Sequence, residues 1–288
     1  MPQVFALRSR CLSVAAALVL AANGNASARP LDDVIASGEI AVALYDDFMP
    51  WSDLDGDSVR GIDAEIGREI GRKLGVKVRF VVRGAGETID DDLRFNIWKG
   101  TAVQEAPADV MLHVPYDRQL SVRNDLVVVH APYHQDGWAV AYDPEKLPNL
   151  KDVQSFEEAK VGVETDSAAD LSLMGAFGGA LRDNIVHFNG FMPAADAFAA
   201  GELPAVMATR GEVEWAAKRR REAGGPAKVT RPEMPGPVRR VWSIGIAVRE
   251  NSRDLAYAIE DVLAELGRSG RMGELFAAEG VTFEPPEN

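Results

Sequence analysis

Ile40-Ala-Val-Ala-Leu44, led in by Ser37-Gly38, is a short unbroken apolar run, the pattern of a strand buried on both faces. Past a polar turn, Ile66, Ile70 and Leu74 recur every fourth residue within 63–74, which sets them on one helix face, and Gly75 follows as a C-cap. Val76-Lys-Val-Arg-Phe-Val-Val82 then alternates with the period of a second strand. Strand, helix and strand in that order form a right-handed crossover onto a parallel sheet, so the chain is read as α/β.

The same signals continue outward. A helix is expected over 90–99, a strand over 109–113, and two further strands over 126–129 and 138–142, separated by a corner at Pro132-Tyr133. A second unit begins with a strand at 161–163, a helix over 168–181 and a strand at 185–188. A helix at 194–200, a strand at 205–208 and a helix over 212–223 follow. Gly224, Gly225, Pro226, Pro232, Pro235, Gly236 and Pro237 make 224–237 a long loop. The strand at 242–248 returns to the first unit, the helix over 255–266 carries Leu255, Ile259, Val262, Leu263 and Leu266 on one side, and a short helix over 270–278 ends the pattern. The plan is two α/β lobes, 29–135 plus 242–288 and 136–241, joined near 134–140 and 238–244 with a cleft between them.

At the N-terminus, Arg8 and Arg10 precede an apolar run from Cys11 to Ala22, and Ala26-Ser27-Ala28 offers small residues for cleavage. Residues 1–28 are therefore expected to be a removed export signal, too short in its apolar part to span a bilayer. The only cysteine, Cys11, would leave with it, and with it any disulfide or thiolate chemistry. The net charge of −13 over 288 residues would fall to −15 on losing Arg8 and Arg10. An acidic surface of that size argues against nucleic acid and against membrane insertion or anionic lipid as partners.

Gly38-Glu-Ile-Ala-Val42, Pro50-Trp-Ser52, Gly61-Ile-Asp-Ala-Glu65, Leu74-Gly75-Val76, Ala108-Asp-Val110, Arg118, Pro132-Tyr133, Gly201 with Ala205-Val206, and Gly245-Ile-Ala-Val248 follow one another in a familiar order. This order resembles the type II periplasmic solute-binding proteins of polar amino acid importers, the periplasmic binding protein-like II fold. The resemblance implies a periplasmic, non-catalytic binding protein that closes its lobes over a ligand. Two departures stand out against that family. Pro115 replaces the threonine three residues before the arginine that helps hold a ligand carboxylate, and Thr209 stands where an aspartate receives the ligand ammonium. The run Val114-Pro-Tyr-Asp-Arg118, with Asn96 upstream and Pro132-Tyr133 after it, is further similar to the MoxJ/XoxJ subgroup that accompanies pyrroloquinoline-quinone (PQQ) methanol dehydrogenases. That likeness implies a quinoprotein methanol dehydrogenase as partner, in its calcium or lanthanide form, and a role in its maturation. The competing reading is a receptor for a small organic solute serving an ABC permease.

The residues expected to line the cleft, for ligand or partner, are Tyr45, Phe48, Trp51, His113, Arg118, Tyr133, Thr165, Ser167 and Trp242. Arg118 could grip a carboxylate or phosphate bidentately, or simply fix its loop by a salt bridge. The aromatics, with Trp98 and Trp138, fall near strand ends or crossovers and could line a pocket, dock a protein or fill the core. No metal or cofactor is expected. Asp53, Asp55 and Asp57 alternate like calcium ligands, but an EF-hand would need glycine where Ser58 stands and glutamate where Ala64 stands, so a solvated hairpin is the better account. His130 and His134 are separated by Pro132, against a helical metal pair, and His113 and His187 read as hydrogen-bonded core residues. Lys218-Arg-Arg-Arg221 is a cationic spot, read as a solvated helix end or a docking point. Nucleophile elbows, phosphate loops and dinucleotide fingerprints are absent from the sequence, so no catalytic residue is assigned.

Overall fold

A computed structural model of the chain describes residues 29–101, 106–148, 150–236 and 239–286. The expected export signal, residues 1–28, lies outside the described residues. In the first lobe the order is α1 (Leu31–Ser37), β1 (Glu39–Tyr45), a hairpin of β2 (Asp53–Asp55) and β3 (Ser58–Arg60), α2 (Ile62–Leu74) and β4 (Lys77–Arg83). Then come α3 (Ile89–Leu93), continued by a π-helical turn over Arg94–Trp98, β5 (Val110–Pro115), α4 (Arg118–Arg123) and β6 (Val127–Tyr142). The second lobe adds β7 (Val161–Glu164), α5 (Ala168–Gly175), β8 (Ile185–Phe188), α6 (Phe191–Ala200), β9 (Ala205–Thr209), α7 (Arg210–Glu222) and β10 (Lys228–Thr230). The chain returns through β11 (Val241–Arg249) and ends in α8 (Arg253–Ser269) and α9 (Arg271–Ala278).

The opening stretch folds as its pattern dictates. β1 and β4 pair in parallel from Glu39↔Lys77 to Tyr45↔Arg83, with α2 as the crossover. Ile66 and Ile70 are fully buried on its inner face, and Gly75 takes the left-handed φ of 71° that closes such a helix. The strands line up as β4-β1-β5-β11-β6-β9-β7-β8, with β10 beside β6. Helices cover the faces, giving a mixed α/β sheet with apolar cores on both sides.

The two strands expected at 126–129 and 138–142 are one 16-residue strand, β6. Pro132 does not end it, because it lies in a bulge. Ile244 faces His134 and Ile246 faces His130, so Ala131, Pro132 and Tyr133 together oppose the single residue Gly245. A proline in a bulge owes no N–H to the ladder, and a side chain at Gly245 would stand 2.6 Å from the His130 carbonyl oxygen. β6 pairs with β11 up to Gly137 and with β9 from Trp138 onward, so one strand belongs to both lobes. At the changeover Gly137 lies against the other connection, where an added Cβ would be 2.4 Å from the Arg240 carbonyl oxygen.

Two other expectations are corrected. The helix expected over 168–181 stops at Gly175, because Phe177 and Gly178 adopt left-handed φ values of 49° and 67°. The expected loop over 224–237 contains β10, which pairs antiparallel with β6 through Val229↔Ala141; residues 237–238 lie outside the described part. The Asp-rich turn is the expected hairpin, with Asp53 and Asp55 on either side of Arg60.

After α9 the chain crosses the junction of the lobes. Phe283 stacks near the His134 ring, Gln135 donates its N–H to the Glu284 carbonyl oxygen, and Thr282 donates its N–H to the Glu214 carboxylate on α7. This tail therefore ties β6 to α7.

Candidate functional site

A cavity of 450 Å³ opens between the lobes where the parallel strands end. From the first lobe it is lined by Tyr45, which ends β1, by Asp46, Asp47 and Phe48, which follow it, and by Gly84 and Ala85, which follow β4. From the second it is lined by Glu164 at the end of β7, by Asn189, Gly190 and Phe191 between β8 and α6, and by Glu212 in the first turn of α7. A smaller chamber of 190 Å³ continues past Phe48, Glu164 and Glu212 to Trp138, Ser167, Met207 and Thr209. Both lie at the carboxyl ends of strands, the place where open α/β sheets take ligands.

Of the residues expected in the cleft, Tyr45, Phe48 and Ser167 line these chambers. Tyr45 donates its hydroxyl to Asp92 Oδ2 at 2.7 Å, and burial together with that carboxylate holds its phenol well above the usual range. Ser167 caps α5 by accepting from the Asp170 N–H. Trp51, His113 and Tyr133 form the layer behind the wall. Tyr133 donates to Asp63 Oδ1 at 2.7 Å, His113 Nδ1 lies 2.9 Å from Asp63 Oδ2, and the His113 ring meets Phe48 edge-on at 4.9 Å. This buried trio holds Phe48 in place. Trp51 is fully buried among His113, His134 and Phe276, and its indole passes so close to Gly211 of α7 that a Cβ there would lie 2.2 Å from it.

Trp242 is half-buried and touches the cleft only through Trp138, its ring 4.9 Å away. Thr165 is exposed and gives its hydroxyl to the Phe188 carbonyl oxygen. Arg118 lies outside both chambers. It is the first residue of α4, exposed, with no ion pair among the described residues, because Asp117 caps that helix and pairs with Arg239 instead.

The sequence reading missed the acids. Asp46 and Asp47 sit in the turn after β1, while Glu164 and Glu212 face them from the second lobe. Glu212 is 5% exposed, and its Oε2 accepts both the N–H and the hydroxyl of Thr209. The signal was available as Thr209-x-x-Glu212, a helix-start motif directly after a predicted strand. The carboxylate counted as lost at Thr209 is thus supplied one helical turn later. Burial pushes Glu212 up to about 8, and the charges of Glu164 and Asp136 add to the effect against the Thr209 hydrogen bonds. Asp47 and Glu164 are raised as well, by burial first and then by neighbouring carboxylates.

The other singled-out residues have structural partners. His130 pairs with Glu260, and His187, exposed rather than in the core, pairs with Asp170. In the cationic spot, Arg219 pairs with Asp196 and Arg220 with Asp143, while Lys218 and Arg221 donate to carbonyl oxygens. Asn96 is buried and accepts from Arg83. Among the described residues no group of three or more metal-binding side chains is found, and no helix is long and apolar enough to cross a membrane.

No protein-family model matches the chain, and no curated protein matches it in sequence. Solved structures do match. An ancestral cationic amino acid solute-binding protein superposes with a TM-score of 0.67 at 19% identity over 88% of this chain and 99% of that one. An amino acid ABC transporter substrate-binding protein of Streptococcus pneumoniae bound to L-arginine gives 0.62 at 18% identity over 90% and 99%. A solute receptor for L-cysteine of Neisseria gonorrhoeae gives 0.58 at 17% over 87% and 93%. At such identities the likeness lies in the architecture, and the chain has the two-lobed α/β fold of periplasmic solute-binding proteins.

Proposed function

We propose that the chain is a non-catalytic periplasmic receptor that captures a small organic solute between lobes 29–135 plus 242–288 and 136–241 and presents it to an ABC permease. The observation that carries this reading is the cleft itself: a 450 Å³ cavity walled by both lobes at the carboxyl ends of their strands. The neighbours that bear names of amino acid receptors and transporter subunits support it. A lobe-closing protein is stabilised by whatever binds its closed form. Thermal unfolding against a panel of amino acids, amines, small acids and sugars tests this. A true ligand at a hundredfold excess over its Kd contributes about 2.7 kcal/mol, or roughly 5–10 °C in Tm for a chain of this size. A flat response across the panel would remove the reading.

The narrower expectation, a methanol dehydrogenase partner, rests on residues 114–118, Asn96 and Pro132-Tyr133. Asn96 is spent on Arg83, and Arg118 is exposed and away from the cleft. Pulldown of apo and holo dehydrogenase at low salt decides it; capture would favour the accessory role over import.

A further inference from the structure

We propose that the cleft selects a small organic cation without a carboxylate, an amine, diamine or guanidine, in preference to a zwitterionic amino acid. This rests on the receptor reading and names the chemistry of its solute.

Four carboxylates line the two chambers, Asp46, Asp47, Glu164 and Glu212, and neither Lys nor Arg joins them. The arginine that would grip a ligand carboxylate, Arg118, is exposed outside. Glu212 is the independent pointer. It is 5% exposed, lines both chambers, and uses only Oε2, so Oε1 has no hydrogen-bond partner among the described residues. The charges that shift it, Glu164 and Asp136, have the same sign. Burial leaves Glu212 holding its proton at neutral pH, and an entering cation, which supplies the missing counter-charge in a site of low dielectric, stabilises the ionised form and releases that proton.

Aromatic faces suit the same guest. Tyr45 and Phe48 meet edge-on at 5.6 Å on one side, and Trp138 closes the inner chamber. The elements that favour anions are already occupied by the protein's own acids. Asp47 Oδ2 lies 3.5 Å from the Cβ position of Gly190, over the start of α6. Asp136 Oδ1 accepts the first N–H of α7, from Arg210. A ligand carboxylate would find these positions filled and no Lys or Arg lining either chamber.

The test is calorimetric titration and thermal shift of the purified chain with agmatine, putrescine, arginine and glutarate. Agmatine and arginine differ by the carboxylate. The expected result is binding of agmatine or putrescine at least about tenfold tighter than arginine, with no binding of glutarate. Glu212→Gln, whose amide oxygen can still accept from the Thr209 N–H, should weaken the amine at least about tenfold. Glu164→Gln at the rim should weaken it about threefold and gives a second reading independent of the buried site. Arginine binding as tightly as agmatine, or both glutamate variants binding as wild type, would overturn the proposal. Glutarate, or a neutral solute from the wider thermal panel, that binds while amines do not would overturn it and leave the receptor standing, whereas silence of these four compounds and of that wider panel would overturn both.

Discussion

At the junction of the lobes Arg210 is 2% exposed, and both terminal nitrogens of its guanidinium are hydrogen-bonded. Its guanidinium donates to Glu214, to the carbonyl oxygens of Thr282 and Gln135, and to His134 Nε2 at 3.2 Å. That bond fixes the His134 tautomer, so Nδ1–H donates to the Glu284 carbonyl oxygen at 3.1 Å. Burial, then the Arg210 charge, pushes His134 down to about 2, which keeps it neutral. Two residues on, Glu212 is nearly as buried and makes no ion pair among the described residues. The same interior thus treats charge in two ways. Where the lobes must hold together, the charge is compensated by the chain itself; in the cleft wall burial keeps the proton on the carboxyl instead.

The largest break in this comparison should come from Arg210→Ala. Removing one partner of a buried, hydrogen-bonded network strands the others, and the expected loss is about 3–5 kcal/mol in urea unfolding. A loss under about 1 kcal/mol would mean the junction is not held by this group.

Gly137→Ala comes next. The new methyl would meet the Arg240 carbonyl oxygen at 2.4 Å and force the two connections apart, for about 1–3 kcal/mol of destabilisation. Unchanged stability would show that the crossing is looser than its geometry implies.

The third expectation concerns pH and has a worked sign. The folded-state value of Glu212 lies above its unfolded value, so the folded state holds the extra proton and stability falls as pH rises toward about 8. The folded-state value of His134 is depressed, so its contribution is complete above the unfolded value of about 6.5 and declines below it. Between roughly pH 6.5 and 8 the Glu212 slope acts without the His134 contribution, at about 1.4 kcal/mol per unit. Glu212→Gln should flatten that interval and uncover the His134 decline on the acid side, as read by unfolding curves at a series of pH values. Identical pH profiles for variant and wild type would contradict the uncompensated carboxylate. The smallest effect belongs to Arg118→Ala, exposed and without an ion pair, at within about 0.5 kcal/mol and with no change in solute affinity.

Much of the fold was legible because it rests on spacing. Ile66 and Ile70 marked the helix face, Gly75 its end, and the run at Ile40 its strand. The continuity of β6 was hidden because Pro132 breaks strands in general and is tolerated here only through a bulge whose other half, Gly245, lies over a hundred residues away. The site was half legible. Phe48 and Tyr45 lie at a strand end and were found from that alone, whereas His113 and Tyr133 carry polar atoms that turn out to serve Asp63 behind the wall. Glu212 was missed because a carboxylate was sought at Thr209 itself, and a helix delivers its side chain to the same place one turn later. Arg118 was placed in the cleft by its resemblance to a carboxylate-gripping arginine, but Asp117 starts a helix there and carries it to the surface.

The unbroken β6 has a mechanical consequence. With one hydrogen-bonded ribbon running through both halves, opening the molecule means torsion along a strand, not slack in a linker, and its travel is limited by how far the ladder with β11 can shear at the Gly245 bulge. A protease probing the junction would meet extended, paired backbone at residues 134–140, so the halves should not be separable by nicking there.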